Sequence, residues 1–339
     1  MNNKINLSSN TKFALAIFGG FIFALVIIPV IAVMAFAPEQ LGETVGIYND
    51  NYEPENIEIS VIWDEEEAHF YITVYRTVTS EFQKIEFERY IVGVVAAEMP
   101  ALFERGALQA QAVAARTYAM RILAHYEYIL DTVMHQVYLD DEQLKARWGD
   151  DFDLHLNTIK EAVNSTRGLV LKYDGELITP MFFAMSSGAT ENSEDFFATK
   201  RPYLRSVLST GYQHLENFAV NEKFTIADLQ TAFIDQQITP DNIIILSHSP
   251  GGNVSEIRIG NSIYTGREVR EILGLRSAAF SVYIDLTNFM ITFTTYGHGH
   301  GVGMSQHGAN VMARSGSTFE EILKHFYQNV EIISYYFNK

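Results

Sequence analysis

Apolar and polar positions divide this chain into stretches of different period. From Phe13 to Ala37 it reads FALAIFGGFIFALVIIPVIAVMAFA, without a charged residue. Such a run, as a helix, spans a hydrocarbon core of about 30 Å. It is longer than the apolar core of a signal peptide, about 7–15 residues. Lys4 and Lys12 precede it with no acid among them. The positive-inside rule therefore predicts a single-pass membrane protein with residues 1–12 cytoplasmic and everything after 13–37 extracytoplasmic. Residues 38–56 are polar, acidic and aperiodic, and read as a tether.

Alternation begins at Ile57, Ile59 and Val61 and resumes at Phe70, Ile72 and Val74 after the acidic turn Asp64–Glu67, which predicts a strand hairpin. A helical period follows. Tyr90, Ile91, Val94, Val95 and Glu98 share one face of a helix that Pro100 ends. A second helix is expected from about Glu104 to Tyr126, with Leu108, Ala112, Ala115 and Ala119 as a stripe that admits another backbone closely. From Gly168 onward short β-like runs dominate (GLVLKY, LITPMFFAM, NIIILS, VSEIRIG, FSVYIDLTNFMITFTTY), broken by helices near Glu268–Leu273 and Thr318–Tyr327. Helices and strands are segregated rather than alternating. This predicts an α+β fold of helices and mainly antiparallel strands, with a cleft between a main lobe and a smaller one, after one transmembrane helix. The folded region is expected over 57–339, with the smaller lobe over 205–285.

The chain has 339 residues and a formal charge of −17, so it lacks the basic footprint that nucleic acid requires. It contains no cysteine, which removes disulfides, thiol catalysis and Cys-ligated zinc. Hydrophobic residues make up 47% of it, which excludes wholesale disorder.

Three places carry candidate chemistry. Glu98 lies on the apolar stripe of its helix, just before Met99-Pro100. A carboxyl in an apolar setting has its pKa raised, as a general acid at neutral pH requires; the plain alternative is a helix-end carboxylate paired to an arginine. Arg116 sits beside the small-residue stripe and needs a partner to offset its desolvation, either Glu88 or Glu98. The stretch Tyr296–Ala309 (YGHGHGVGMSQHGA) is too glycine-rich for an efficient helix or strand interior and suits close approach of backbone to a ligand. His298, His300 and His307 within it raise a metal site, but it holds no acid to complete a donor set. A second small-polar loop, Ser186-Ser187-Gly188-Ala189-Thr190, follows the MFFAM run. A serine nucleophile there with His298 or His300 as base is open, although the GxSxG elbow is absent. Asp131, Asp140, Asp141, Asp150, Asp151 and Asp153 mark an acidic stretch expected to be a solvated face.

Together VVAAEMP (94–100), ALQAQAVAARTYA (107–119), FFAMSSGATENSEDFF (182–197), PYLRSV (202–207), TGREVREILGLRSAAF (265–280) and GHGHGVGMSQHGA (297–309) resemble the stage II sporulation protein D family. These are membrane-anchored lytic transglycosylases of endospore-forming bacteria. The resemblance implies cleavage of peptide-stripped peptidoglycan glycan strands to 1,6-anhydro-MurNAc ends during engulfment, at the sporulation septum, with no cofactor. It implies Glu98 as catalytic acid/base. Arg116, Tyr118, Ser186, Ser187, Gly188, Thr190, His298, Gly299, His300, Gly301, Ser305 and Gln306 are the expected substrate-binding set. The implied partners are the glycan strands, stage II sporulation proteins P (an amidase) and M (a membrane protein), and the lipid bilayer. Some relatives hold zinc through Cys and His ahead of a Cys-Gln-Val-Tyr stretch. Here the chain reads His135-Gln136-Val137-Tyr138, so that metal is not expected, and His300 and His307 stand where many relatives have Arg and Tyr. Three alternatives stay open: a hydrolysing muramidase recruiting Glu191 or Asp195, a non-catalytic glycan-binding scaffold, and a metallohydrolase that chelators would silence.

Overall fold

The computed structural model describes residues 62–64, 69–197 and 199–335. Among these, no helix is long and apolar enough to cross a membrane. That corrects the expected single-pass placement and the transmembrane element of the fold. The 13–37 segment on which it rested lies outside the described residues, as do the 1–12 tail, the 38–56 tether and the first strand expected at Ile57–Val61.

The chain opens with strands β1 (Ile62–Asp64), β2 (His69–Arg76) and β3 (Glu81–Glu86), antiparallel in that order. The short β4 (Ile129–Leu130) runs parallel to the end of β2. Phe70, Ile72 and Val74 all turn inward, as their alternation requires. Helix α1 (Phe87–Glu98) starts where the Glu86 side chain accepts the Arg89 amide at 2.6 Å, and stops where Met99 turns extended ahead of Pro100. Tyr90, Ile91, Val94 and Val95 are fully buried. Helix α2 (Arg105–Leu123) lies at the centre of the molecule. Its buried alanines let α1, α4 (Phe152–Ser165), α8 (Gln306–Arg314), α9 (Phe319–Phe326) and β5 (Leu169–Tyr173) pack against it. Between them, α3 (Asp141–Trp148) is closed by an Asp140–Gln143 capping box.

The acidic stretch is not a uniform solvated face. Asp131 is buried, and its Oδ2 accepts the Arg76 Nε at 2.9 Å while Oδ1 takes the Thr77 amide and hydroxyl. Desolvating the Arg76 guanidinium requires such a partner, and Asp131 and Asp140 together supply it. The expected LITPMFFAM strand also divides. The Asp174-Gly175 turn, both residues with positive φ, joins β5 to β6 (Glu176–Leu177); β7 (Phe182–Phe183) begins only after Pro180, which has no amide for a ladder. Strand β15 (Glu331–Ser334) completes a sheet in the order β15-β5-β6.

After helix α5 (Ser193–Phe197) the chain builds a second hydrophobic cluster, from Leu229 to Phe293. Two three-stranded antiparallel sheets enclose it. One is β12 (Phe280–Asp285), β13 (Met290–Tyr296) and β8 (Ala219–Thr225); the other is β11 (Ser262–Tyr264), β10 (Val254–Ile259) and β9 (Ile243–His248). Helices α6 (Ile226–Ala232) and α7 (Gly266–Leu273) flank them. These strands and helices run from Ala219 to Tyr296, against the 205–285 span expected as a smaller lobe. Both clusters belong to one compact unit.

Candidate active site

The two small-residue loops meet. Strand β14 (Met304–Ser305) pairs in parallel with β7, Met304 with Phe182 and Ser305 with Phe183. Met185 and His298 exchange both backbone hydrogen bonds, at 3.0 and 2.7 Å, and the Glu191 amide donates to the Gly301 carbonyl at 2.8 Å. Glycine permits this contact. Gly297 and Gly303 sit at φ +75° and +81°, where a Cβ would strike the Met185 and Met181 carbonyl oxygens. At Ser305 the loop turns into helix α8, the serine Oγ capping it by accepting the Gly308 amide at 3.1 Å. Gln306 is therefore held on the first turn of a helix.

From that position the Gln306 side-chain amide donates to Glu98 Oε2 at 3.4 Å. Glu98 is half-buried at the last position of α1, and burial raises its pKa above the ordinary glutamate value. The Gln306 amide and the backbone amide of Val137 pull it back. Its position at a helix C-terminus also sets it at the negative end of the helix dipole, which disfavours the carboxylate further. Arg147 from α3 donates to the carbonyls of Ala96 and Ala97 at 3.1 and 3.3 Å and so fixes this helix end. Tyr90, buried on α1, has its pKa raised chiefly by burial, then by Tyr118, Tyr138 and Glu98 nearby. Tyr118 is half-buried on α2.

The remaining expected residues fall into different settings. Ser186 and Ser305 are buried around the Tyr212 hydroxyl. Ser186 Oγ lies 2.5 Å from it and 3.0 Å from the Ser209 carbonyl, and Ser305 Oγ is 3.4 Å away. Neither is paired with a histidine, so the serine-nucleophile reading has no base in place. Ser187 Oγ donates to the Gly251 carbonyl at 3.2 Å, and the Gly188 carbonyl accepts the Ser209 amide. Thr190 is fully buried and accepts the Val207 amide at 3.0 Å. His298 is exposed, its Nδ1 3.3 Å from Arg276, with its pKa lowered by desolvation and then by Arg276 and Arg270. The Gly299 amide donates to the Arg276 carbonyl.

Two of the expected substrate contacts are committed to partners within the chain. The Arg116 side chain is 1% exposed and forms a bidentate pair with Glu88, at 2.9 and 2.7 Å, with the Leu169 carbonyl accepting at 3.0 Å. Its partner is Glu88 and not Glu98. Tyr118, two residues on, projects from roughly the opposite side of the helix. Arg116 has no face left for a ligand. His300 is likewise committed. Its Nδ1 accepts the Val302 amide, so Nε2 carries the proton and donates to the Phe182 carbonyl at 3.0 Å. Phe183, Phe196 and Phe197 surround the ring, and burial pushes its pKa down to about 4.

At His135, Nδ1 accepts the Leu130 amide at 3.0 Å. Among the described residues no group of three His, Cys, Asp or Glu could hold a metal. Sequence reasoning missed Val137 and Arg147. Val137 acts through its backbone amide and Arg147 from the exposed side of its helix, so no side-chain pattern in the sequence announces either.

Sequence comparison places a chain with this fold and these paired loops among sporulation-related proteins. The stage II sporulation protein family model matches residues 75–173. Stage II sporulation protein D of Bacillus subtilis (strain 168) is 39% identical over 271 residues, covering 77% of this chain and 78% of that protein. Its counterpart in Bacillus amyloliquefaciens is 39% identical over 270 residues, with the same coverage. The amidase enhancer of Bacillus subtilis (strain 168) is 28% identical over 298 residues, 72% of this chain and 40% of that protein. The chain belongs to the stage II sporulation protein D family.

Proposed function

We propose that this protein is a lytic transglycosylase that cleaves peptide-stripped glycan strands of peptidoglycan during sporulation, with Glu98 as its one acid/base. The observation that carries the reading is the Glu98 carboxyl itself, half-buried at a helix end and met by an amide from the glycine-rich loop. Burial shifts its pKa upward from the ordinary glutamate value, the direction a proton donor requires. Glu98 gives its proton to the glycosidic oxygen as the bond to the muramyl C1 breaks. The muramyl 6-hydroxyl then attacks C1 and passes its proton to the Glu98 carboxylate. The strand ends in a 1,6-anhydro ring, the acid is restored and no water is consumed. Because the nucleophile belongs to the substrate, a second carboxylate is not needed to activate water, and much of the entropy of bringing it in is already spent.

Glu191 argues the same way. Its Oε1 accepts the Ser249 hydroxyl at 2.7 Å and the Asn253 amide at 2.9 Å, and its Oε2 is sealed from solvent with no partner among the described residues. A base for water needs a carboxylate that water reaches. We infer that the glycan arrives after an amidase has removed its stem peptides; one relative is named an amidase enhancer. The test is mass spectrometry of peptide-free glycan strands digested by the protein. Anhydro ends support the reading. Reducing ends alone would identify a hydrolysing muramidase, and strands bound but uncut a scaffold.

A further inference from the structure

The sheet that opens the fold carries aromatic side chains on its outer face that the chemistry at Glu98 does not use. Tyr75 on β2 pairs across the ladder with Phe82 on β3, and Tyr128 precedes β4. The three rings touch: Tyr75–Phe82 at 5.1 Å between centroids, Phe82–Tyr128 at 5.1 Å and Tyr75–Tyr128 at 6.3 Å. They are inclined to one another by 55–76°, so they offer a stepped series of faces and not a flat plate. Phe82 is 61% exposed, Tyr126 55% and Tyr128 38%. Phe82 and Tyr128, in contact with each other, thus leave much ring surface open side by side.

The patch is continuous with the candidate active site. Tyr126 lies 5.5 Å from the His135 ring, and His135 Nδ1 accepts the amide of Leu130 on β4. His135 and Val137 are the half-exposed positions of a stretch whose alternate members, Gln136 and Tyr138, are 2% and 5% exposed. The backbone amide of Val137 faces the Glu98 carboxyl. Chain neighbours and ring contacts thus lead from Glu98 through Val137 and His135 to Tyr126, and from Tyr128, two residues further along the chain, to Phe82 and Tyr75.

We propose that this strip is a glycan-binding track, holding sugars of the strand several residues away from the bond being cut. The inference rests on the glycan reading of the Glu98 site. A sugar ring presents an apolar face of C–H groups rimmed by hydroxyls. Tyrosine and phenylalanine answer it with a ring face, and tyrosine adds a polar tip at the edge. Successive sugars along a strand are turned relative to one another, which suits tilted rings. Tyr71, further along β2, has Lys84 Nζ 5.1 Å over its ring, and the track ends there.

The test measures binding of peptide-free glycan strands of graded length to the full chain carrying Glu98→Gln, so that nothing is cut. Affinity is expected to rise with strand length. In Phe82→Ala, Tyr126→Ala or Tyr128→Ala that rise shrinks, each ring costing about three- to tenfold on long strands. Phe82→Trp restores what Phe82→Ala loses. Circular dichroism checks that the exposed substitutions leave the fold intact. If all variants bind long strands as tightly as the parent, or lose only binding to a protein partner, the track is overturned. Cleavage is read separately with the unsubstituted chain. Anhydro products with an indifferent track sink this inference alone, whereas length-dependent binding through the rings without any cleavage sinks only the transglycosylase reading.

Discussion

Gln306 and Glu98 lie 208 positions apart in the chain, yet the amide of the first stands 3.4 Å from the carboxylate of the second. The bond favours the ionised carboxylate, while burial opposes it and dominates. Two outcomes follow. Glu98→Gln removes the proton donor and lowers the cleavage rate by at least about a hundredfold, the usual worth of a positioned general acid. Gln306→Leu removes a donor to the charged form, so the Glu98 pKa rises and the alkaline limb of the kcat/KM profile moves to higher pH. The rate at its optimum falls by less than about tenfold, as befits one long hydrogen bond. A pH–rate profile on peptide-free glycan checks both; an alkaline limb that stays put in Gln306→Leu would show that the bond does not govern the acid.

The same burial bears on stability. A carboxyl whose pKa is higher folded than unfolded binds protons more tightly in the native state, so stability falls as pH rises from the ordinary glutamate value through the raised one. Glu98→Gln cannot ionise and escapes this loss. Thermal unfolding is expected to show the variant more stable than the parent at pH 8, with the gap closing below the ordinary glutamate pKa. Equal melting temperatures at every pH would mean that water reaches the carboxyl freely.

Arg116 and Glu88 form a buried bidentate pair, both side chains under 5% exposed. Removing one member strands the other charge in the interior. Arg116→Met is expected to destabilise the fold by about 3–5 kcal/mol, and Arg116→Met with Glu88→Leu to recover much of that. Activity lost by the single variant should return with folding in the double one. Urea unfolding beside a cleavage assay decides this: a well-folded double variant that stays inactive would restore Arg116 as a substrate contact.

Much of the fold was legible because burial imposes a period. Phe70, Ile72 and Val74 alternate, and Tyr90, Ile91, Val94 and Val95 recur at helical spacing, so both elements were read from composition along the chain. Helix α4 was not. Leu156, Ile159 and Val163 keep the period, but the acids around Asp150–Asp153 suggested a solvated stretch. Asp131 was misread for a related reason, since its buried partner Arg76 lies 55 residues away and no local pattern announces it. Helix α8 was hidden by the glycines before it; the Ser305 cap, which starts it, is the signal that could have found it. At the site, the residue types were legible and their pairings were not. The sequence offers Arg116 both Glu88 and Glu98, and the fold decides for Glu88 by setting the guanidinium among the Val163 and Leu169 carbonyls.

His300 gives a last test, because its role can be separated from its chemistry. Both ring nitrogens are used, one accepting the Val302 amide and one donating to the Phe182 carbonyl, in a setting that lowers the pKa to about 4. An unfolded histidine titrates near 6.5. Between those values the unfolded chain takes up a proton that the folded chain refuses, so stability contributed by the neutral ring is full above about pH 6.5 and is lost as pH falls toward 4. His300→Gln keeps a donor for the Phe182 carbonyl and cannot titrate. Its unfolding midpoint should be lower at neutral pH, from the lost Val302 bond, but should fall less steeply than the parent's between pH 6.5 and 4. If the parent and the variant lose stability in parallel over that window, His300 is not the buried neutral strut that its bonds describe.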